Sequence, residues 1–133
     1  MITEDEYANR ILDLNRTMEE RIQAAFHLEN ATKDENILKL VRGLESDPSP
    51  IVRHEFAFSL GETAHPKIAG PALQKAAKSD PNVFVRHESI LALATLGKDE
   101  FLPFIEQFLD DPVLEIAESA TIAIQRIKQT GHR

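Results

Sequence analysis

Apolar residues recur along almost the whole chain at the three- and four-residue spacing of amphipathic helices. The alternating pattern of a half-buried strand, bounded by tight hairpin turns, does not occur in the sequence. Thr3 with Glu6, and Thr17 with Glu20, form two capping boxes that open helical segments, because both side chains bond backbone N–H groups at the helix start. The pattern therefore predicts an all-α protein.

Asp-Pro turns divide the helical segments into outer and inner helices. They occur at Asp47-Pro48, Asp80-Pro81 and Asp111-Pro112. A further start signal is Ser49 followed by Pro50, a capping residue before a proline in the first turn. The outer helices are expected at 3–14, 34–46, 67–79 and 99–110, and the inner helices at 17–30, 50–63, 83–96 and 113–129.

The inner helices repeat one another. Their alignment places Arg21, Arg53, Arg86 and Ile116 at equivalent positions, with offsets of 32, 33 and 30 residues. Such a period is typical of an α-solenoid, in which each helical hairpin packs on its neighbours. We therefore expect a single domain over 1–133, with four hairpins and eight helices. The shared apolar positions and the phenylalanines are expected in the core, including Phe101, Phe104 and Phe108.

Two of the inner helices carry the same segment, Val-Arg-His-Glu. Its dyads, His54-Glu55 and His87-Glu88, lie 33 residues apart, whereas the first and fourth repeats have no histidine at this position. A requirement of the fold would appear in every repeat, so the dyads are expected to form a site. Neighbouring helices pack about 8–10 Å apart. Two imidazoles and a carboxylate at that distance can bind a transition metal such as non-haem iron, with zinc as the alternative.

Other polar residues are interpreted as structural. Arg53 and Arg86 are expected to bridge to turn aspartates such as Asp47 or Asp80. The histidines without a repeated carboxylate partner are interpreted as ordinary surface or packing residues: His27, His65 and His132. Two glycines are expected to end inner helices: Gly61 and Gly97. Three helical serines lie beside no predicted base, which argues against nucleophilic catalysis: Ser59, Ser89 and Ser119.

Composition narrows the chemistry further. The chain has no cysteine, which excludes thiolate zinc sites and cysteine-ligated iron–sulfur clusters. Its net charge is -7, which argues against nucleic acid as a partner and favours a basic or amine-bearing protein or small molecule. The acidic N-terminus and short uncharged stretches predict neither a secretory signal nor a membrane span, so a cytoplasmic location is expected.

Several segments resemble the HEAT-repeat deoxyhypusine hydroxylases: His54 to Gly61, Val85 to Glu88, and Asp111 to Ser119. The resemblance covers roughly residues 18 to 129. Members of that family are dinuclear iron monooxygenases that use dioxygen to hydroxylate a modified lysine side chain on a translation factor. The resemblance implies His54, His87 and Glu88 as iron ligands and Glu55 as a contact for the substrate amine. Glu55 as a group that orients a ligand is the alternative.

The chain departs from that family in size, because the family enzymes hold two four-repeat halves and this chain supplies one. The resemblance therefore implies a homodimer joined through its concave face, in which each subunit gives one His-His-Glu set to a di-iron site. Such a contact would also cover apolar stripes at Phe58 and Leu91. The implied activity is dioxygen-dependent hydroxylation of an amine-bearing, lysine-derived substrate. The alternative is a non-catalytic HEAT-repeat interaction scaffold that retains the dyads, or a HEAT-like protein that resembles the bilin lyase subunits and docks on a partner. No catalytic residue is assigned.

Overall fold

A computed structural model describes residues 1–130, so His132 lies outside the described residues. The helices are α1 (Glu4–Ile11), α2 (Met18–His27), α3 (Asp34–Ser46), α4 (Pro50–Glu62), α5 (Pro66–Ser79), α6 (Val83–Leu96), α7 (Leu102–Glu106) and α8 (Leu114–Thr130). Residues 1–130 contain no strand. These eight helices, paired as four hairpins, confirm the expected α-solenoid. None of them is both long and apolar enough to cross a membrane.

The predicted helix boundaries are wrong mainly in the first and last repeats. Helix α1 ends at Ile11 because the chain turns there, where the Asp13 carboxylate accepts the N–H of Asn15 at 3.0 Å. The outer helix expected at 99–110 is a 3₁₀ turn, Asp99–Phe101, followed by the short α7. Pro103 lies in the first turn of α7, where its missing N–H leaves no helical hydrogen bond unmade.

The inner helices α2, α4, α6 and α8 stack side by side, and each outer helix packs on its own inner helix. Apolar positions that the repeats share are fully buried, as expected: Leu28, Val52, Leu60, Val85 and Leu93. Phe101 and Phe108 are buried as well, and Phe104 packs edge-on against Phe108. The expectation that phenylalanines lie in the core is wrong for Phe26, Phe58 and Phe84, which are 62%, 43% and 62% exposed.

Gly61 has a different role from the one predicted. Helix α4 continues past it to Glu62, and the left-handed backbone conformation that follows is at Ala64, with φ 58°. A Cβ at Gly61 would lie 2.8 Å from the Cβ of Ala92 on α6. The glycine therefore allows α4 and α6 to approach closely, whereas Gly97, with φ 74°, ends α6 as expected.

Arginines of the inner helices bond to the Asp-Pro turns, in an arrangement called here the turn ladder. Arg21 Nε and Nη2 donate to the two carboxylate oxygens of Asp47 at 2.8 and 3.3 Å. Arg53 repeats the arrangement with Asp80 at 3.0 and 3.3 Å, and its Nη1 donates to the Asp47 carbonyl at 2.8 Å. Arg86 donates to the Asp80 carbonyl at 2.7 Å. The structural interpretation of Arg53 and Arg86 is confirmed, and the ladder links successive repeats.

The first two repeats are joined by a second network, the Glu4 clasp. The Glu4 carboxylate accepts from the backbone N–H of Thr32 at 2.9 Å, from the Thr32 hydroxyl at 2.9 Å, from the N–H of Lys33 at 3.1 Å and from Asn36 Nδ2 at 2.7 Å. These bonds favour the ionised carboxylate, and the bond from the Thr32 N–H contributes most to lowering the pKa of Glu4 to about 2. The clasp also satisfies N–H groups at the start of α3, which has no side-chain cap of its own.

Candidate metal-binding site

The two dyads lie on α4 and α6, just after the starts of these helices. Those starts are set by matching caps: Ser49 accepts the N–H of Val52 at 3.3 Å, and Asn82 accepts the N–H of Val85 at 3.3 Å. With both valines fully buried, the residues two and three positions on fall on a half-exposed face. Because α4 and α6 pack side by side, the dyads become neighbours, as the repeat alignment predicts.

The closest contact between the dyads joins the histidine of one helix to the glutamate of the other. His54 Nε2 lies 3.2 Å from Glu88 Oε1, and His54 Nδ1 lies 3.6 Å from Glu55 Oε1. The Glu88 side chain is 15% exposed, whereas that of Glu55 is 41% exposed. Glu88 is therefore the inner carboxylate of the site and Glu55 the outer one.

Burial raises the pKa of Glu88 above its usual value. The nearby His54 and His87 act in the opposite direction, as does Arg126 on α8, while the negative charge of Glu55 adds to the rise. Burial has the largest effect because a carboxylate removed from water loses more solvation than these neighbours replace. Glu88 is thus an acid whose charge is incompletely balanced, a state common at functional sites.

His87 makes a contact that the sequence analysis did not foresee. Its Nδ1 is hydrogen-bonded to the hydroxyl of Ser119 on α8, and that hydroxyl donates to the Glu115 carbonyl at 2.5 Å. Ser119 occupies the repeat position of Ser89 and Phe56, all three of them buried. A polar residue at a core position was a signal in the sequence, but Ser89 carries the same signal and bonds the Val85 carbonyl instead of a histidine.

The donor atoms fit a metal ion in type and, for one pair, in spacing. Two ligand atoms bound at about 2.1 Å and about 90° to each other are separated by about 3 Å. His54 Nε2 and Glu88 Oε1, at 3.2 Å, have the separation of two such neighbours. Within residues 1–130, however, no three or more His, Cys, Asp or Glu residues gather into a group that could hold a metal. The structure brings His54 and Glu88 together and directs His87 Nδ1 to Ser119.

Exposed apolar side chains surround the dyads. Phe58 lies four positions after His54 on the same helical face and is 43% exposed. Ile51 and Phe84, three positions before the two histidines, are 61% and 62% exposed. A pocket of about 210 Å³ beside the site is lined by Pro50, Ile51, His54, Asn82 and Phe84. The histidines therefore lie among apolar groups that a ligand or a second protein surface could cover.

Comparison with known proteins supplies the family. The family described as HEAT repeats matches residues 37–125. Deoxyhypusine hydroxylase of Schizosaccharomyces pombe is 37% identical over 120 residues, which are 90% of this chain and 37% of that protein. The structure of human deoxyhypusine hydroxylase in complex with glycerol superposes with a TM-score of 0.87 at 28% identity, covering 95% of this chain and 43% of that one.

A more distant match shows the fold alone. The complex of CpcE and CpcF of phycocyanin lyase from Nostoc sp. PCC7120 superposes with a TM-score of 0.64 at 18% identity, over 97% of this chain and 66% of that one. The chain spans about two fifths of the length of the deoxyhypusine hydroxylases that it matches. It belongs to the HEAT-repeat family, and its four repeats are similar to part of a deoxyhypusine hydroxylase.

Proposed function

We propose that this chain is a HEAT-repeat hydroxylase subunit that binds non-haem iron through His54, His87 and Glu88. Its proposed substrate is a lysine-derived amine on a protein or small molecule, and its proposed location is the cytoplasm. The observation that supports the proposal most directly is the 3.2 Å contact between His54 Nε2 and Glu88 Oε1, two would-be ligand atoms from neighbouring repeats. The similarity to deoxyhypusine hydroxylases supports iron over zinc.

Each dyad residue has a role that its position supports. Bound iron would supply the activation of dioxygen. Glu88, deeply placed and with a raised pKa, would gain a cation to balance its charge. Glu55 is the more exposed carboxylate and would meet the substrate amine at the mouth of the site. The alternative role is to orient the imidazole of His54, which would require the Glu55 carboxylate to move within hydrogen-bond distance of Nδ1, from which it lies 3.6 Å away.

The full di-iron site is proposed to form in a homodimer. The chain spans about two fifths of the length of the hydroxylases that it matches, and in this proposal a second copy supplies a second His-His-Glu set. Phe26 and Phe58 occupy the same repeat position on neighbouring inner helices, followed in the next repeat by Leu91. This partly exposed apolar row would be buried by an isologous contact between the two inner faces.

Metal content and mass in solution test the proposal together. We expect about one iron per subunit after aerobic purification and the mass of a dimer. His54→Ala and His87→Ala should each abolish stoichiometric iron. His65→Ala is the matched control, because His65 lies between α4 and α5, away from the dyads, and its loss should leave iron unchanged. An iron-free wild type, or full iron in His54→Ala, would contradict the metal site; a monomer with tightly bound iron would contradict the dimer alone.

Activity needs a separate measurement. Iron-loaded protein supplied with dioxygen and a two-electron reductant such as ascorbate, and incubated with a peptide that carries an extended lysine amine, should insert one oxygen atom into the peptide and release the other as water. Mass spectrometry detects the added oxygen. Glu55→Gln should retain iron and lose most of this turnover, because the amide cannot pair with a cationic amine. Retained turnover in Glu55→Gln would remove Glu55 from substrate binding.

A second candidate function is a non-catalytic interaction scaffold. The exposure of Phe26 and Phe84, both 62%, favours a protein partner over a wholly solvated surface. Under this alternative the wild-type protein would bind no iron, and Phe84→Ser would weaken a protein complex without changing any metal-dependent property. The elemental analysis above therefore separates the two functions.

A further inference from the structure

We infer that Ser119 sets the ring tautomer of His87, and that it thereby makes Nε2 of His87 the atom that can bind a metal. Ser119 is a positioning residue in this inference, since it acts through the histidine. The inference deepens the proposed metal site and rests on it. It concerns a contact between repeats, because His87 lies on α6 and Ser119 on α8.

The direction of the hydrogen bonds follows from the number of hydrogens. The Ser119 hydroxyl has a single hydrogen and lies 2.5 Å from the Glu115 carbonyl oxygen, which can only accept. Two oxygens at that distance without a hydrogen between them would repel, so the hydroxyl hydrogen points to the carbonyl. The remaining contact, between Ser119 Oγ and His87 Nδ1, then requires the ring to donate.

A neutral imidazole has one N–H, so donation from Nδ1 leaves Nε2 of His87 with a free lone pair. That lone pair is what a metal ligand needs. Ser119 is fully buried, so water does not compete for its hydroxyl. His54 is oriented differently, because its two nitrogens face the carboxylates of Glu88 and Glu55. The two histidines thus depend on different neighbours.

The preceding repeat provides a matched control. Ser89 occupies the equivalent position on α6, is also fully buried, and donates to the Val85 carbonyl at 2.7 Å. Among the described residues, Ser89 has no hydrogen bond to a histidine. Ser89→Ala and Ser119→Ala therefore remove the same kind of buried hydroxyl, bonded to a carbonyl four residues earlier, and only Ser119→Ala removes a histidine partner.

Long-range ¹H–¹⁵N NMR of the metal-free protein, recorded at a pH where imidazoles are neutral, tests the tautomer directly. We expect His87 in the wild type and in Ser89→Ala to show a protonated Nδ1 and an unprotonated Nε2. In Ser119→Ala this preference should shift toward the Nε2–H form, which is the commoner form of free imidazole side chains. A wild-type His87 protonated on Nε2, or an unchanged pattern in Ser119→Ala, would overturn the inference.

Metal affinity provides the second measurement, with zinc as a redox-inert probe and Fe(II) under anaerobic conditions. Ser119→Ala should bind about 10- to 100-fold more weakly than the wild type, the usual loss when a partner of a ligating histidine is removed. Ser89→Ala should bind within about twofold of the wild type. Equal affinity in Ser119→Ala would overturn the positioning role. If the wild type binds neither metal, the proposed function fails, while the NMR pattern still decides whether Ser119 sets the tautomer.

Discussion

The turn ladder and the His-Glu dyads are both built from side chains near the starts of inner helices, and they differ in how completely their charges are balanced. In the ladder, Arg21 meets both carboxylate oxygens of Asp47, and the two side chains are 6% and 1% exposed. In the dyads, Glu88 is 15% exposed, meets one histidine nitrogen, and has a raised pKa. Removing one side chain of the buried pair would leave the other charge uncompensated, whereas the raised pKa of Glu88 marks the dyads as a candidate site for a ligand.

The largest expected effect comes from breaking the ladder. Asp47→Ala leaves the Arg21 guanidinium buried without its carboxylate, so we expect a loss of about 3–5 kcal/mol in the free energy of unfolding. Urea unfolding followed by circular dichroism measures it. Asp110→Ala, at an exposed position in the last repeat, is the control and should change stability by less than about 0.5 kcal/mol. A similarly small effect of Asp47→Ala would mean that the ladder does not stabilise the repeats.

A smaller loss of free energy of unfolding is expected from disrupting the Glu4 clasp. Its carboxylate is fully hydrogen-bonded, as in the turn ladder, but it is more exposed to solvent. Glu4→Gln should cost about 1 kcal/mol at neutral pH, a value reduced for solvent screening. The folded-state pKa of Glu4 is lowered from 4.5 to about 2. The stabilisation is therefore fully present above pH 4.5 and disappears as the pH falls toward 2. Melting temperatures of wild type and variant should converge over that range, and a constant difference would contradict the clasp.

The smallest change in the free energy of unfolding is expected from a substitution at Glu88, and this change should stabilise the protein. Because its folded-state pKa is raised, the ionised carboxylate destabilises the metal-free fold, increasingly so as the pH rises from the unfolded-state pKa through the folded-state pKa. Glu88→Gln should therefore stabilise the metal-free protein by about 0.5 kcal/mol at pH 7, and it should remove the metal affinity proposed for this site. Thermal melts with and without a chelator measure both. If Glu88→Gln were less stable than the metal-free wild type, the charge of Glu88 would be compensated by its neighbours, as the charge of Asp47 is in the turn ladder.

The α-solenoid could be predicted from the sequence because the same helical pattern and turn residues recur in successive repeats. Helical periodicity, the two capping boxes and the Asp-Pro turns are local signals, and the 33-residue offset was enough to place the dyads on adjacent helices. The last outer helix was mispredicted because its apolar pattern continues from the 3₁₀ turn at Asp99–Phe101 into α7 and gives no sign of the break between them. Exposure of Phe26 and Phe84 could not be predicted either, since their spacing is that of a core helix.

The details of the candidate site depend on side-chain directions that the sequence does not encode locally. Alignment places His54 opposite His87, yet the closest contact pairs His54 with Glu88, because rotamers and packing decide which groups meet. Ser119 lies 32 residues from His87, and its contact exists only because α8 stacks on α6. Repeat alignment can therefore locate a site between helices without giving the arrangement of its atoms.

The close approach of α4 and α6 at Gly61 and Ala92 acts as a spacer for the dyads. Gly61 lies seven residues, or about two helical turns, beyond His54, and it sets the separation of the two helices without contributing a polar atom. An added methyl group there must push α4 away from α6 and widen the gap that an ion would have to bridge. A residue that contributes no polar atom to the dyads thus limits how far apart they lie, and the size of any ion that they could share would depend on it.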